Sequence, residues 1–337
     1  MGDLFSKLLS PRPDSLRIGP EISRGAYGVV FQGRLGTRPV AIKKIHGMLV
    51  EYARDTKGDL ATVLADFRRE CELMEAARHA NVVQYLGVFN QDGSALLVME
   101  LMQGTLEQFL RDNRGTLPQE KQVSICLQIA SGLLFLHQHE PQILHRDLTA
   151  KNILVSDNGR VVKISDLGQA KFRPADVQYL TTRAPGCVPY MPPECLVDIP
   201  HFTDKGDIFS FGVVVLQVAT QHPPSFGLVN IGAIPEVERR ERDLARLSDD
   251  HPLKPTVLKC LKDDPAERPT CHQVCLMLIL DPHVNNPGVS VCKFYIVLYP
   301  LQHNAGEDTC HLLPFNIHNF CVSFERVFVY FCENDII

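Results

Sequence analysis

The residues with the clearest chemical potential lie in two short stretches near the middle of the chain. His145, Arg146 and Asp147 are followed, after four further residues, by Asn152, and the stretch Asp166-Leu167-Gly168 comes fourteen residues later. Carboxylate and carboxamide oxygens are ligands that Mg²⁺ prefers, and a further carboxylate can orient a hydroxyl group. Phosphoryl transfer needs such metal ligands and an orienting group, with cations around the phosphates.

A glycine-containing segment and a lysine precede these stretches. Gly25 and Gly28 stand in Ser23-Arg24-Gly25-Ala26-Tyr27-Gly28-Val29-Val30, and a hairpin with glycine at its turn would explain them alone. Glycine lets the backbone approach phosphates closely because it has no Cβ. About a dozen residues later, Val40-Ala41-Ile42-Lys43 places a lysine inside an apolar strand, where it needs an anionic partner. Together the two features predict a phosphate-binding site.

The composition is that of a soluble globular protein. Apolar residues make up 45% of the 337 residues and charged residues 22%, and the net charge of −5 does not favour nucleic-acid binding. The eleven cysteines are scattered without a CxxC pair, which favours reduced thiols and a cytoplasmic location. No apolar run reaches the roughly 20 residues of a membrane-spanning helix, so we expect no transmembrane segment.

The elements that must position these residues fall into two groups. Residues 16 to 97 read mainly as strands, interrupted by an amphipathic helix from Leu60 to Ala77, where apolar residues recur every three or four positions. Residues 105 to about 280 read mainly as helices. The helix Asp207 to Thr220 is apolar nearly all round and should lie in the middle of a core. This grouping predicts an α+β fold and argues against a dinucleotide-binding fold, which alternates strands and helices.

Taken together, these motifs resemble the eukaryotic protein kinase family, and within it most closely the tyrosine-kinase-like group. The resemblance covers residues 16–280 and implies a bilobal fold: an N-lobe of 16–99, a hinge of 100–104 and a C-lobe of 105–280. We expect residues 1–15 to be a flexible leader. Residues 281–337 are interpreted as a divergent tail with no assigned role, and the oligomeric state is not predicted.

The resemblance implies a role for each catalytic group. Asp147 would orient the substrate hydroxyl, and Asn152 and Asp166 would hold Mg²⁺. Lys43 would bind the α- and β-phosphates of ATP, and Lys151 would help to neutralise the transferred group.

A helix glutamate would pair with Lys43. Glu70 is the expected residue, and Glu72 and Glu75 are alternatives because helix register from sequence is good only to a few residues.

The nucleotide pocket is also implied by resemblance. Val30, Ala41 and Leu154 would sandwich the adenine, Met99 would lie at the back of the pocket, and the backbone from Glu100 to Met102 would bond the base. The complete set of expected ATP-binding residues is Ser23, Gly25, Gly28, Val30, Ala41, Lys43, Met99, Glu100, Met102 and Leu154.

Further residues have implied structural or regulatory roles. His145 is expected to be a packed structural histidine, and with Met74, Tyr85 and Leu167 it would form an apolar column between the lobes. Asp207 would anchor that column.

The loop after Asp166 has its own implied roles. Arg146 would pair with a phosphate added by an upstream kinase; the candidate acceptors are Tyr179, Thr181 and Thr182. Glu194 and Arg268 would form a buried ion pair.

The sequence defines less clearly which amino acid of the substrate would receive the phosphate. Thr149 and Cys187 replace the lysine and threonine usual in serine/threonine kinases, whereas Lys151 stands where tyrosine kinases often place a cation. We favour serine or threonine in protein substrates of intracellular signalling. A tyrosine or dual-specificity kinase is one alternative, and a pseudokinase that binds nucleotide without turnover is another.

Overall fold

The computed structural model describes the parts of the chain that position these residues. These are residues 13–25, 28–45, 71–91, 94–167, 170–173, 187–197, 201–225, 236–280, 294–298, 312–314 and 327–331.

The first part of the chain forms a five-stranded antiparallel sheet in the order β1-β2-β3-β5-β4. The strands are β1 (Leu16–Gly25), β2 (Gly28–Leu35), β3 (Arg38–Ile45), β4 (Tyr85–Gln91) and β5 (Ser94–Glu100). Residues 71–76 are helical, within the predicted amphipathic helix. Gly36 has a φ of 61° in the two-residue turn between β2 and β3, where a tight hairpin requires a positive φ.

The two faces of this sheet have different surroundings: one packs into an apolar core, and the other carries Lys43. Val40 and Ile42 are fully buried on one face. They belong to a core cluster with Leu16, Leu96 and Val98. Successive strand residues point to opposite faces, so Ala41 and Lys43 lie on the other face. The sheet thus holds Lys43 away from its own apolar core.

Most of the helices follow the sheet. They are α1 (Leu106–Asp112), α2 (Gln119–Gln138), α3 (Asp204–Thr220), α4 (Glu236–Leu244), α5 (Lys254–Cys260) and α6 (Cys271–Ile279). Every residue of α3 from Gly206 to Ala219 is buried, as its apolar sequence predicts. The helix begins at Asp204, three residues before the predicted start, because Thr203 accepts the backbone N–H of Lys205 as an N-cap.

Short strands among the helices hold the loops that carry chemistry. These strands are β6 (Gly104–Thr105), β7 (Gln142–Leu144), β8 (Ile153–Ser156), β9 (Val161–Ile164) and β10 (Lys171–Arg173). They form one sheet in the order β6-β8-β9 and a second in which β7 pairs with β10. Residues 145–152 connect β7 to β8, and Asp166 follows β9 closely. The two stretches singled out in the sequence therefore leave neighbouring short strands.

Two glycines allow backbones to pack closely in the helical part. A Cβ added at Gly132 of α2 would lie 2.5 Å from the backbone oxygen of Asn81, and one at Gly212 of α3 would lie 2.6 Å from Cβ of Cys260. Both distances are too short for real contacts, so any larger residue would push the elements apart.

Three further strands lie beyond residue 281. They are β11 (Phe294–Leu298), β12 (Leu312–Pro314) and β13 (Val327–Phe331), antiparallel in the order β12-β11-β13. Over the described ranges, no helix is both long and apolar enough to cross a membrane. The sheet-rich first part and the largely helical second part confirm the two-lobed α+β architecture.

Candidate active site

Asp207 holds the start of the catalytic loop, residues 145–152. Its side chain is 0% exposed, and its two oxygens accept the backbone N–H groups of His145 and Arg146, each at 2.8 Å. Arg146 has a φ of 67°, a left-handed conformation that is uncommon for a residue with a Cβ. Hydrogen bonds to a charged acceptor are strong enough to offset the cost of this conformation. The entry into the loop is therefore fixed by α3.

His145 is fully buried, and both of its ring nitrogens are engaged. Nδ1 lies 3.3 Å from the backbone nitrogen of Asp147, and Nε2 lies 3.0 Å from the backbone oxygen of Ser165. A carbonyl oxygen can only accept and a backbone N–H can only donate, so Nε2 carries the hydrogen and Nδ1 accepts. This neutral ring links the catalytic loop to the segment before Asp166, as expected of a packed structural residue.

The Asp147 carboxylate is held at both oxygens. Oδ2 accepts Nδ2 of Asn152 at 2.9 Å, and Oδ1 accepts the backbone N–H of Cys187 at 3.3 Å. Burial raises the pKa of Asp147 above its ordinary value and the charge of Asp166 adds to the rise, while the hydrogen bonds from Cys187 and Asn152 oppose it. A carboxylate with a raised pKa is a better proton acceptor, which suits it to bind a hydroxyl hydrogen.

Lys43 reaches from β3 to the other lobe. Its Nζ lies 2.7 Å from Oδ1 of Asp166, and the two side chains are 14% and 35% exposed. Ser165 then joins Asp166 to the catalytic loop, because its backbone N–H and its hydroxyl donate to the backbone oxygen of Asn152 at 2.8 and 2.9 Å. Lys43, Asp166, Asn152 and Asp147 therefore form one connected cluster.

The donor atoms of this cluster suit a hard divalent cation. Asn152 uses its amide nitrogen to bond the backbone and the carboxylate of Asp147, so the amide oxygen is the atom that it can offer to a ligand. The Asp166 side chain is about one-third exposed, which leaves it accessible from the cleft. Carboxylate and amide oxygens are the protein ligands that Mg²⁺ takes beside phosphate oxygens. The residues present therefore fit a magnesium ion.

One face of the N-terminal sheet brings together the expected nucleotide contacts. Val30 pairs directly with Lys43 and Ala41 pairs directly with Met99, and directly opposed residues share a face. These four residues therefore form one wall. Leu154 lies in β8 of the other lobe, next to the short strand that follows the hinge.

The side chain of Glu100 faces away from that wall, because Glu100 pairs with Val40 on the other face of the sheet. The Oε1 atom of Glu100 accepts Nζ of Lys163 at 2.7 Å and the backbone N–H of Gln84 at 2.6 Å. Sδ of Met102 accepts the hydroxyl of Ser156 at 3.7 Å. The Glu100 carboxylate is thus committed to neighbouring protein groups, which leaves the hinge backbone as the expected partner of the base.

The glycine-containing segment lies at the tip of the first hairpin. Gly25 ends β1, Gly28 begins β2, and the two are directly paired. Ser23, an expected ATP-binding residue, is an exposed β1 residue paired with Val30. The hairpin therefore extends from the strand that forms the pocket wall.

The predicted ion pair below the cleft has bidentate geometry. Nη1 and Nη2 of Arg268 lie 2.6 and 2.8 Å from the two carboxylate oxygens of Glu194. Arg268 is 2% exposed, and its guanidinium lies 4.9 Å from the ring centre of Phe209. Phe209 thus contributes a cation–π contact to the buried guanidinium.

Thr149 and Cys187, which replace the lysine and threonine usual in serine/threonine kinases, lie at the end of the site where the substrate hydroxyl is expected. Thr149 is 4% exposed, and its hydroxyl accepts the backbone N–H of Asn152 at 3.3 Å. Burial and the charge of Asp147 raise the pKa of the Cys187 thiol, and Lys151 opposes this rise. Lys151, which is exposed, therefore favours negative charge at Cys187, whose backbone N–H donates to Asp147.

Some sequence-predicted residues lie outside the described residues. They are Glu70, Tyr179, Thr181 and Thr182. The two alternatives to Glu70, Glu72 and Glu75, are described and are both exposed.

Sequence reasoning missed two residues of the site. Ser165 gives no signal in the sequence, because a serine at the end of a short strand is ordinary. His137 contacts Asp207 at 2.9 Å. Its only signal is a histidine in the last turn of the long helix α2, which is buried along most of its length.

Comparison with known proteins agrees with this geometry. Residues 16–278 match the family model for protein tyrosine and serine/threonine kinases. A probable serine/threonine-protein kinase of Dictyostelium discoideum, drkA, is 32% identical and aligns with 77% of this chain and 39% of its own length. A probable receptor-like protein kinase of Arabidopsis thaliana is 34% identical, with 76% and 55% covered. A dual specificity protein kinase of D. discoideum, shkC, is 27% identical, with 78% and 51% covered.

The chain therefore belongs to the protein kinase family. The match spans both lobes and every described residue of the cluster around Asp147 and Asp166. The chain spans about half or less of the length of these relatives.

Proposed function

We propose that this chain is an ATP-dependent protein kinase that transfers the γ-phosphate of MgATP to serine and threonine hydroxyls of protein substrates in a signalling pathway. The observation that carries this proposal is the connected cluster of Lys43, Asp166, Asn152 and Asp147. It joins a cation, two oxygen donors for a metal and a hydroxyl-orienting carboxylate at the junction of the lobes. The chain retains these four groups, each of which has a part in phosphoryl transfer. Their retention argues against a pseudokinase.

Each residue of the cluster has a separate task. MgATP, when bound, supplies the phosphoryl group and the cation that balances its charge. Lys43 would bind the α- and β-phosphates, and Asp166 and Asn152 would hold the metal ion. Asp147 would accept a hydrogen bond from the substrate hydroxyl and orient its oxygen for in-line attack. The exposed ammonium of Lys151 would reduce the negative charge around the acceptor.

The names of the relatives support serine and threonine as acceptors. Several are serine/threonine kinases, including the 32% identical drkA. The dual specificity of shkC makes a second candidate, tyrosine transfer beside serine/threonine transfer, worth testing in the same assay. Thr149 and Cys187 both contact this end of the site, so the acceptor preference depends on a pair of residues that differs from the common serine/threonine pattern.

The test is a radiolabelled ATP transfer assay on three peptide pools that are randomised except for a fixed central serine, threonine or tyrosine. We expect label in the serine and threonine pools and none in the Asp147→Asn variant. Label chiefly in the tyrosine pool would overturn the acceptor assignment. If wild type and Asp147→Asn label the peptides equally, or if neither labels them, the enzyme interpretation is refuted and the pseudokinase interpretation is favoured.

We also propose that an upstream kinase phosphorylates Tyr179, Thr181 or Thr182. The cation that would receive the phosphate is Arg146, which lies directly before Asp147 and is fixed by Asp207. Phosphopeptide mapping of protein from cells, with activity measured before and after phosphatase treatment, tests this. Unchanged activity after complete dephosphorylation of these residues would refute it.

A further inference from the structure

The buried carboxylate of Asp207 has a side-chain donor as well as two backbone donors. Nε2 of His137 lies 2.9 Å from Oδ2, the oxygen that also accepts the backbone N–H of His145. The His137 side chain is 6% exposed and Asp207 is 0% exposed. An ionised carboxylate can only accept, so Nε2 of His137 carries the hydrogen. A charge buried to this extent depends on its donors, because water does not reach it.

His137 is held in place independently of the catalytic loop. It lies in the last turn of α2, and its backbone oxygen accepts Nε2 of Gln142 at 3.0 Å. The ring therefore approaches Asp207 from a rigid helix, while Asp207 approaches the loop from α3. The contact joins α2 and α3, two largely buried helices, next to the carboxylate that holds residues 145 and 146.

The catalytic loop needs this support because its backbone is unfavourable at Arg146. A φ of 67° for a side-chain-bearing residue persists only where the surroundings impose it. Asp207 imposes it through Oδ1, and His137 fixes the orientation of the same carboxylate through Oδ2. Asp147, the next residue, takes its direction from this turn.

We propose that His137 is a positioning residue for phosphoryl transfer, acting through Asp207 on the direction of the Asp147 carboxylate. The inference rests on the proposed kinase function. Among the described residues, the hydrogen bonds of His137 join it to Asp207 and Gln142. It would therefore act on the attacking hydroxyl through Asp147 and should leave ATP binding unchanged.

The test uses three variants. His137→Met keeps a side chain of similar bulk without a donor, and His137→Gln places an amide N–H near the position of Nε2. His139→Gln is the matched control: it lies two residues further along the same helix end, and its ring bonds the backbone oxygen of Pro141 instead. For each protein the measurements are kcat, KM for ATP, the dissociation constant of a non-hydrolysable ATP analogue, and Tm.

We expect kcat of His137→Met to fall by about 10- to 100-fold, the loss that follows removal of a hydrogen bond to a charged group. KM for ATP and analogue binding should stay within about 2-fold, and His137→Gln should recover most of kcat. His139→Gln should match wild type.

Several outcomes would overturn the inference. A kcat of His137→Met within about 2-fold of wild type would do so, as would a His137→Gln variant that folds but is as slow as His137→Met. A parallel loss of Tm, analogue affinity and kcat would show a structural role only. If His137→Met does not fold, a folded but inactive His137→Gln decides against the proposal and an active one supports it. Failure of the kinase function itself would appear separately, as an inactive wild type.

Discussion

Lys43 and Asp166 lie 2.7 Å apart, although 123 residues separate them in the sequence. The contact joins the sheet of the first lobe to the segment that follows β9 in the second. The ammonium therefore has an anionic partner within the protein, which makes its position on this face of the sheet tolerable.

Removal of the Lys43 ammonium should abolish most of the turnover. We expect Lys43→Met to lower kcat by about 10²- to 10³-fold, the usual cost of removing an electrostatic contact to the transferring group. The matched control is Lys44→Met, because Lys44 is next in β3 and points to the opposite face of the sheet. Transfer assays with circular dichroism spectra check both. Wild-type turnover by Lys43→Met would contradict the assigned phosphate contact.

The buried ion pair should contribute strongly to stability. Glu194→Ala would leave the guanidinium of Arg268 buried without its carboxylate, so we expect the free energy of unfolding to fall by about 3–5 kcal/mol. Glu267→Ala, at the exposed pair with Lys262, should cost less than about 1 kcal/mol. Urea denaturation measures both. Equal effects of the two substitutions would show that burial does not strengthen the Glu194 contact.

Activity should be lost on acidification at a higher pH than an ordinary aspartate predicts. In the proposed mechanism Asp147 accepts the hydroxyl hydrogen bond as a carboxylate, and burial raises its pKa above the ordinary value of 3.8. Because the folded pKa is raised, kcat/KM should fall as the pH decreases through that raised value. The measurement is a pH profile of kcat/KM. The controls are the binding of the ATP analogue and the circular dichroism spectrum. Neither should change over the same pH range. An acid limb at or below pH 3.8 would contradict the assignment.

Gly212→Ala should destabilise the protein even though alanine favours helices. The new Cβ would lie 2.6 Å from Cβ of Cys260 in α5. We expect a loss of about 1–3 kcal/mol from overpacking, against a gain of at most about 1 kcal/mol from helix propensity. Gly104→Ala is the control, since its nearest neighbour would be 3.6 Å away. Chemical denaturation measures both, and a Gly212→Ala variant as stable as wild type would refute the close helix contact.

The close placement of Asp147 and Asn152 was predictable from the sequence because local spacing encodes it. Asp147 and Asn152 lie on one short loop, and phosphoryl transfer constrains both residue types and their separation. The core helix α3 was equally clear, since a segment apolar on all sides has only one favourable environment. Its start was misplaced by three residues because the cap, Thr203, precedes the apolar run.

Contacts between distant segments were less accessible to sequence reasoning. The contact of His137 with Asp207 joins residues 70 positions apart, and neither side chain indicates the other's location. The direction of Glu100 likewise depends on which face of β5 meets the pocket, and this register is set by pairing with β3. The strands around the catalytic loop have only two to four residues, too few for a periodic pattern.

The burial of Asp207 has a consequence for local opening. The amide hydrogens of His145 and Arg146 are bonded to a side chain on α3, at the centre of the second lobe. Solvent cannot reach those amides by fraying of a surface loop; it must wait until that helix separates from its neighbours. In deuterated buffer, these two amides should therefore be among the last in the protein to exchange, at rates close to that of global unfolding.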